Sequence, residues 1–133
     1  MRWLVIAALV VAGCAKKGSS CEGSKQVAMQ AIQTAHATVE KDLEASLAVE
    51  ARLARAKLEL GAMPAPPELT QQQFDAQTKT AALKLRIATL DSWLATLGGN
   101  TPATVSAVPE RDEPAQVTTA RTLMIAYAAQ CTP

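Results

Sequence analysis

The pattern of apolar positions divides most of the chain into three helical segments separated by breaks rich in proline and glycine. Apolar residues recur at spacings of three and four, and the alternation typical of strands is rare. Alanine is abundant in all three segments and favours helix. The pattern therefore predicts an all-α domain over residues 21–131, a long helical hairpin with a shorter third helix that together form a three-helix bundle.

The first helix is predicted over about residues 20–60. It begins at Ser19, where Glu22 completes a capping box, or else at Ser24, and Gly61 ends it just before a cluster of prolines. Its apolar seam, interrupted at Ser46, comprises Ala28, Ile32, Ala35, Val39, Leu43, Val49, Leu53, Ala56 and Leu60.

The second helix is predicted over residues 70–97. Thr70 is the expected N-cap, Gln73 completes the capping box, and Leu69 packs on Phe74 as a hydrophobic staple. The expected seam alternates spacings of four and three. It comprises Leu69, Gln73, Ala76, Thr80, Leu83, Ile87, Leu90, Leu94 and Leu97, with Trp93 beside it.

The third helix is predicted over about residues 113–130, after a connector at 101–112 that is longer than a tight turn requires. It begins at Asp112 or Glu113 and passes through Pro114, which the first turn of a helix tolerates. Its expected inner face comprises Val117, Ala120, Met124, Tyr127 and Cys131.

The start of the chain has the pattern of an export signal. Arg2 precedes ten apolar residues, whereas a membrane-spanning helix needs about 20. The following Val11-Ala12-Gly13-Cys14 resembles the lipobox of bacterial lipoproteins. The resemblance implies cleavage of the signal peptide, residues 1–13, and a diacylglyceryl thioether on Cys14, with 14–20 as a lipidated tether. The alternative is an ordinary secretory signal with an incidental cysteine.

The same resemblance implies a location in the cell envelope, on a membrane held through lipid. Several acyl chains make such an anchor stable. Ala15 follows the modified cysteine where an Asp would retain the protein at the inner membrane, so the outer membrane, facing the periplasm, is favoured. The chain has 13 Lys and Arg against 12 Asp and Glu, and removal of Arg2 balances them. This balance argues against nucleic acid as a partner.

Lipid on the sulfur of Cys14 would leave Cys21 and Cys131 as the remaining pair of thiols. An oxidising periplasm favours a disulfide between them. A redox-active pair, a metal pair or an intermolecular bridge are the alternatives, and the absence of Cys-x-x-Cys and the wide separation of the two cysteines in sequence argue against them. Because a disulfide needs Cα atoms within about 7 Å, the third helix must run antiparallel to the first.

Chemistry-bearing motifs are scarce. His36, with Glu40 one turn later, is the one candidate for a metal site, and no other ligand accompanies it. The histidine is therefore interpreted as a helix-surface residue. No nucleophile elbow, zinc motif or phosphate-binding loop is present in the sequence. We expect no enzymatic activity, no metal and no cofactor.

The upper half of the first helix is the expected contact region. If the third helix covers only the lower half, the candidate surface is Val49, Leu53, Ala56 and Leu60, unless the connector covers it. The expected function is therefore a non-enzymatic envelope lipoprotein with a structural or adaptor role, binding a protein partner or itself through its helices. The alternative is a small carrier that binds a lipid or another apolar ligand.

Overall fold

The computed structural model describes residues 17–99 and 105–131, with side-chain environments from Cys21 onward. Helix α1 spans Lys17–Glu59, α2 spans Pro67–Leu97 and α3 spans Ala115–Cys131, and no strand occurs within these ranges. The fold prediction of an all-α three-helix bundle with one disulfide is confirmed. The signal segment 1–13, Cys14 and the start of the expected tether lie outside the described residues.

The start of α1 differs from the prediction. The helix is already formed at Lys17, so Ser19 and Ser24 lie inside it and neither is its N-cap, and part of the expected tether is helical. No proline interrupts this segment, so nothing obliges the backbone to leave the helix at either serine. The end agrees with the prediction. Gly61 has a φ of 60° and its amide donates to the carbonyl of Leu58 at 3.1 Å, as in a left-handed C-terminal cap.

The predicted start of α2 at Thr70 is wrong. The amides of Leu69 and Thr70 donate to the carbonyl of Pro66 at 3.1 and 3.2 Å, so Pro66 is the N-cap and Pro67 the first helical residue. Proline suits that position because its missing N–H would have no partner in the helix. The predicted staple is also wrong, since Phe74 is 63% exposed.

The chain forms two compact units. The three-helix unit comprises the described residues of 17–36 and 90–131, and the hairpin unit comprises 37–89. The buried apolar residues of the three-helix unit come from all three helices and largely match the predicted seams, although Tyr127 is only half-buried. They are Ala28, Ile32, Ala35, Leu90, Trp93, Leu97, Val117, Ala120 and Met124.

A disulfide closes the three-helix unit. It joins Cys21, near the start of α1, to Cys131, the last residue of α3, and their Cα atoms are 5.6 Å apart. This confirms the intramolecular pairing. The bond links residues separated by 110 positions, and it therefore fastens the two ends of the described chain to each other.

Helix α3 runs antiparallel to the first part of α1. The guanidinium of Arg121 lies over the Trp93 ring, 5.3 Å from its centroid. Two residues before Trp93, Asp91 pairs with His36 at 2.9 Å. The middle of α3 is therefore near the level of His36, whereas its end is bonded to Cys21, earlier in α1. This is the direction that the disulfide argument predicts.

The core of the hairpin unit combines apolar side chains with the two hydroxyl side chains of Ser46 and Thr80. Ser46 and Thr80 are in hydrogen-bond contact, and they lie equally far from the end of α1 and the start of α2. The two helices of this unit are therefore antiparallel. Its buried residues are Val39, Ser46, Leu53, Ala76, Thr80 and Leu83.

Candidate functional site

A buried chain of polar side chains occupies the middle of the hairpin unit. The hydroxyl of Thr80 donates to Oε2 of Glu50 at 2.6 Å, and Ser46 Oγ lies 2.7 Å from Thr80 Oγ1. Thr80 has a single hydroxyl proton, already given to the carboxylate, so Ser46 must donate to Thr80. Sliding one helix along the other would leave these buried groups without partners, which costs about 1–3 kcal/mol each. Ser46, which interrupts the apolar seam of α1, thus helps to set the register of α1 against α2.

A second polar cluster, the buried ion pair of Arg121 and Glu113, lies in the three-helix unit. The side chains of Arg121 and Glu113 are 6% and 1% exposed. Arg121 Nη2 donates to Oε1 of Glu113 at 2.6 Å and Nε to Oε2 at 3.3 Å, while Nη1 donates to the carbonyl of Ser106 at 2.9 Å. All three guanidinium nitrogens are therefore satisfied, and the side chain fastens the connector to α3 over the Trp93 ring.

A turn directly before α3 positions the carboxylate of this ion pair. Asp112 has a φ of 58°, a left-handed conformation that Asp tolerates, and the amide of Glu113 donates to the carbonyl of Glu110 at 3.2 Å. The carbonyl of Pro114 then accepts the first helical hydrogen bonds. Helix α3 therefore begins after Pro114, not at Asp112 or Glu113 as predicted. The hydroxyl of Thr118 adds a further hydrogen bond to Oε2 of Glu113, at 2.8 Å.

The surroundings of Glu113 keep it ionised. Burial alone would raise the pKa of its carboxyl, but the hydrogen bonds from Arg121 and Thr118, the positive charge of Arg121 and the backbone of Glu110 outweigh burial and lower the pKa below its usual 4.5. A carboxylate held in this form, with both oxygens already bonded, is poorly suited to transfer protons. We interpret the pair as a structural fastening.

Stability is expected to decrease in acid because of this pKa shift. A folded-state pKa below the unfolded value contributes stability above the unfolded value of 4.5, and this contribution is lost as the pH falls through the folded-state pKa. Urea unfolding at a series of pH values measures how much stability the Glu113 carboxylate contributes. Glu113→Gln should show a shallower acid loss than the wild-type chain, and equal slopes would refute the assignment.

The contact surface predicted along α1 is not formed as a unit. Leu53 is only 7% exposed and belongs to the core, whereas Ala56 and Leu60 are half-buried and Val49 is 37% exposed. The core-facing positions pass through Ser46 and Leu53, seven residues apart, so they bypass Val49. The prediction for Leu53 is therefore wrong, because this residue continues the core seam from Ser46 and is buried within the hairpin unit.

A different set of apolar side chains is exposed on the hairpin unit. Leu47 is 43% exposed, Leu58 80%, Phe74 63% and Leu85 69%. Each helix carries four exposed residues with the same spacing of four, three and four, as in the contact stripe of a helical bundle. We call these two stripes, which are apolar at every position except Thr78, the outer apolar face: Leu47, Ala51, Ala54 and Leu58 on α1, and Phe74, Thr78, Ala81 and Leu85 on α2.

Both stripes of the outer apolar face lie on one side of the hairpin unit. An open groove of about 340 Å³ between the helices is lined by Leu47, Glu50, Ala51, Ala54, Gln73 and Gln77. Phe74 lies between the two glutamines in sequence, and Leu85 lies eleven residues, close to three full turns, after Phe74. This face is absent from the predictions made from the sequence, because they assign a single seam to each helix. The sequence does contain a signal for this face. It is a second stripe on each helix, which lies one residue after the seam positions Ser46 and Thr80.

His36 has a partner on α2 that the sequence did not predict, since its Nε2 lies 2.9 Å from Oδ1 of Asp91. Within residues 17–99 and 105–131, no three His, Cys, Asp or Glu side chains are grouped so that they could hold a metal ion. Among the helices described, none is both long enough and apolar enough to cross a membrane.

Comparisons with protein-family models, with curated proteins and with solved structures find no match for this chain. The function is therefore inferred from its own residues.

Proposed function

We propose that the protein is a membrane-tethered lipoprotein of the bacterial cell envelope with a structural or adaptor role, and that it binds protein through the outer apolar face. The exposure of this face is the observation that carries the proposal. Four large apolar side chains, 43–80% exposed, lie on one side of two neighbouring helices. Contiguous apolar patches of this kind mark contact sites on soluble domains. The proposed role is non-enzymatic.

The disulfide supports an extracytoplasmic location. A bond between Cys21 and Cys131 persists in an oxidising compartment, whereas the cytosol keeps most thiols reduced. Export agrees with the signal-like start of the chain and with the resemblance of Val11-Ala12-Gly13-Cys14 to a lipobox. In this proposal the outer membrane, facing the periplasm, is the site of attachment.

The short distance between Cys14 and the folded part of the chain gives the tether its role. Helix α1 begins at Lys17, only a few residues after the proposed lipid. Two or three acyl chains hold a protein on a membrane far more firmly than one. The anchor would therefore keep the three-helix unit close to the membrane surface and would raise the local concentration of the protein there.

Metabolic labelling with palmitate tests the tether. The wild-type chain is expected to incorporate label and to fractionate with membranes, and Cys14→Ser is expected to lose both properties. Cys131→Ser is the matched control, since it also removes a thiol but should stay labelled and membrane-bound. If Cys14→Ser still incorporates palmitate and remains with the membrane, the lipoprotein proposal is wrong.

A further inference from the structure

We infer that the outer apolar face binds an amphipathic helix of another protein, and that this helix places an arginine in the groove beside Glu50. The helix is the partner in the proposed protein-binding role, so the inference rests on that role. The charge of Glu50, the two glutamines on the opposite wall of the groove and the apolar side chains around them each specify part of the partner's chemistry.

Glu50 brings a negative charge into the groove that the described part of the chain does not neutralise. The residue is half-buried and lines the groove, and its Oε2 accepts the hydroxyl of Thr80 at 2.6 Å. Within residues 21–99 and 105–131, this is the only hydrogen bond of the carboxylate, and no cationic side chain pairs with it. A carboxylate has about four acceptor sites on its two oxygens. The bond to Thr80 therefore orients the group and leaves Oε1 available.

A partner that covers this groove has to supply a cation. Covering the carboxylate removes the water around it, and a charge left without a partner in such a place is strongly destabilising. A purely apolar side chain is therefore disfavoured beside Glu50, and an acidic one is disfavoured more. The charge of Glu50 thus specifies a basic side chain at the centre of the contact.

Gln73 and Gln77 favour arginine over lysine at that position. Both line the groove with Glu50, and they lie four residues apart on α2, so they are neighbours on one face of the helix. Each amide has a carbonyl oxygen that can accept a hydrogen bond. The planar guanidinium of arginine donates several hydrogen bonds in a fixed fork, so it can bond Oε1 and an amide oxygen together, whereas the ammonium of lysine acts as a point charge.

The apolar side chains around Glu50 specify a helical partner. Leu47, Ala51 and Ala54 line the groove from α1, and Phe74, which is 63% exposed, lies between the two glutamines in sequence. The spacing of four, three and four on both helices is typical of helices that pack in bundles. Small alanines in the middle of such a stripe allow a third helix to approach closely. Apolar contacts on either side would then exclude water from the ion pair.

Binding of synthetic helical peptides to the full-length chain in lipid nanodiscs tests the inference. The probe is a peptide of about 18 residues, or five turns, with leucines at alternating spacings of four and three and one variable residue at the centre of that stripe. We expect the arginine peptide to bind about tenfold more tightly than the citrulline peptide, which has the shape of arginine without its charge. The lysine peptide should fall between them. Fluorescence anisotropy measures the dissociation constants.

Two substitutions show whether Glu50 is the source of this preference. Glu50→Gln removes the charge but keeps an oxygen that can accept the hydroxyl of Thr80, so it should abolish the tenfold preference for arginine over citrulline. Glu59→Gln is the matched control, because it removes the same charge from an exposed position on α1 about 180° around the helix, and it should keep the preference. Circular dichroism confirms that both variants remain helical. The same result in both folded variants would overturn the inference.

The peptide series also separates failure of the inference from failure of the proposed function. Equal binding of the arginine and citrulline peptides, or tightest binding of a peptide with leucine at the centre, would overturn the arginine site while the face still binds protein. If none of the peptides binds, the inference and the protein-binding role of this face both fail. Palmitate labelling reports the lipid anchor separately.

Hydrogen exchange of the full-length chain without peptide tests the other occupants of the face. Slower exchange of residues 47–54 and 73–77 in nanodiscs that hold two copies than in those that hold one would indicate a second copy. Slower exchange in single-copy nanodiscs than in detergent would indicate the lipid surface. Either result would refute the inference, and equal exchange in all three samples is the expected outcome.

Discussion

Arg121→Met is expected to lower the free energy of unfolding by about 3–5 kcal/mol, because it leaves the carboxylate of Glu113 buried without its charged partner. That carboxylate is 1% exposed, so water cannot replace the lost hydrogen bonds. The substitution also removes the contact of the guanidinium with Trp93, worth about 0.5–2 kcal/mol, and the bond to the carbonyl of Ser106. Urea unfolding monitored by circular dichroism measures the change.

The double variant Arg121→Met, Glu113→Gln is the control for this prediction. Removing both charges should recover part of the lost stability, since a neutral amide tolerates burial better than an unpaired carboxylate. The pH dependence gives a second check. Arg121→Met should lose its deficit in acid, where Glu113 becomes protonated, whereas the wild-type chain loses stability there. If Arg121→Met alone were as stable as the wild-type chain, the result would contradict the fastening role of the Arg121–Glu113 pair.

The double substitution Cys21→Ser, Cys131→Ser is expected to lower the free energy of unfolding by about 2–5 kcal/mol. The disulfide joins residues separated by 110 positions, and cross-links across long loops restrict the unfolded chain strongly. It also fixes the end of α3 to the start of α1. The variant should therefore show faster hydrogen exchange in the last turns of α3 than elsewhere in the three-helix unit.

Reduction of the wild-type chain is the matched control for the cysteine substitutions. Dithiothreitol should shift its unfolding midpoint to that of the double serine variant and should leave the variant unchanged. An unchanged wild-type midpoint in reductant would show that the bond contributes nothing to stability.

The sequence predicted the core of the three-helix unit well, because its apolar spacing and its two cysteines are strong constraints. Ile32, Leu90 and Met124 all lie in predicted seams and are buried. The disulfide also predicted the direction of α3, which local propensity alone does not determine. Long-range geometry was therefore predictable where a covalent bond imposed it.

The wrong or absent predictions concern local features that more than one residue of the sequence can satisfy. Thr70 has the chemistry of an N-cap, but Pro67 already fits the first helical position and starts the helix earlier. The pairing of Arg121 with Glu113 depends on a left-handed turn at Asp112, for which the sequence has no glycine signal. The outer apolar face is absent from the predictions because each helix was assigned a single seam, whereas the second stripe lies one residue beyond Ser46 and Thr80.

The central claim is that the outer apolar face is the contact surface of the membrane-tethered protein. Hydrogen exchange of the full-length chain in membranes, read by mass spectrometry, tests it most directly. We expect amides in residues 47–58 and 74–85 to exchange more slowly in the wild-type chain than in Phe74→Ser, Leu85→Ser, with no such change in Lys79→Ser, which lies off the face. Equal exchange in all three chains, each still helical, would contradict the claim.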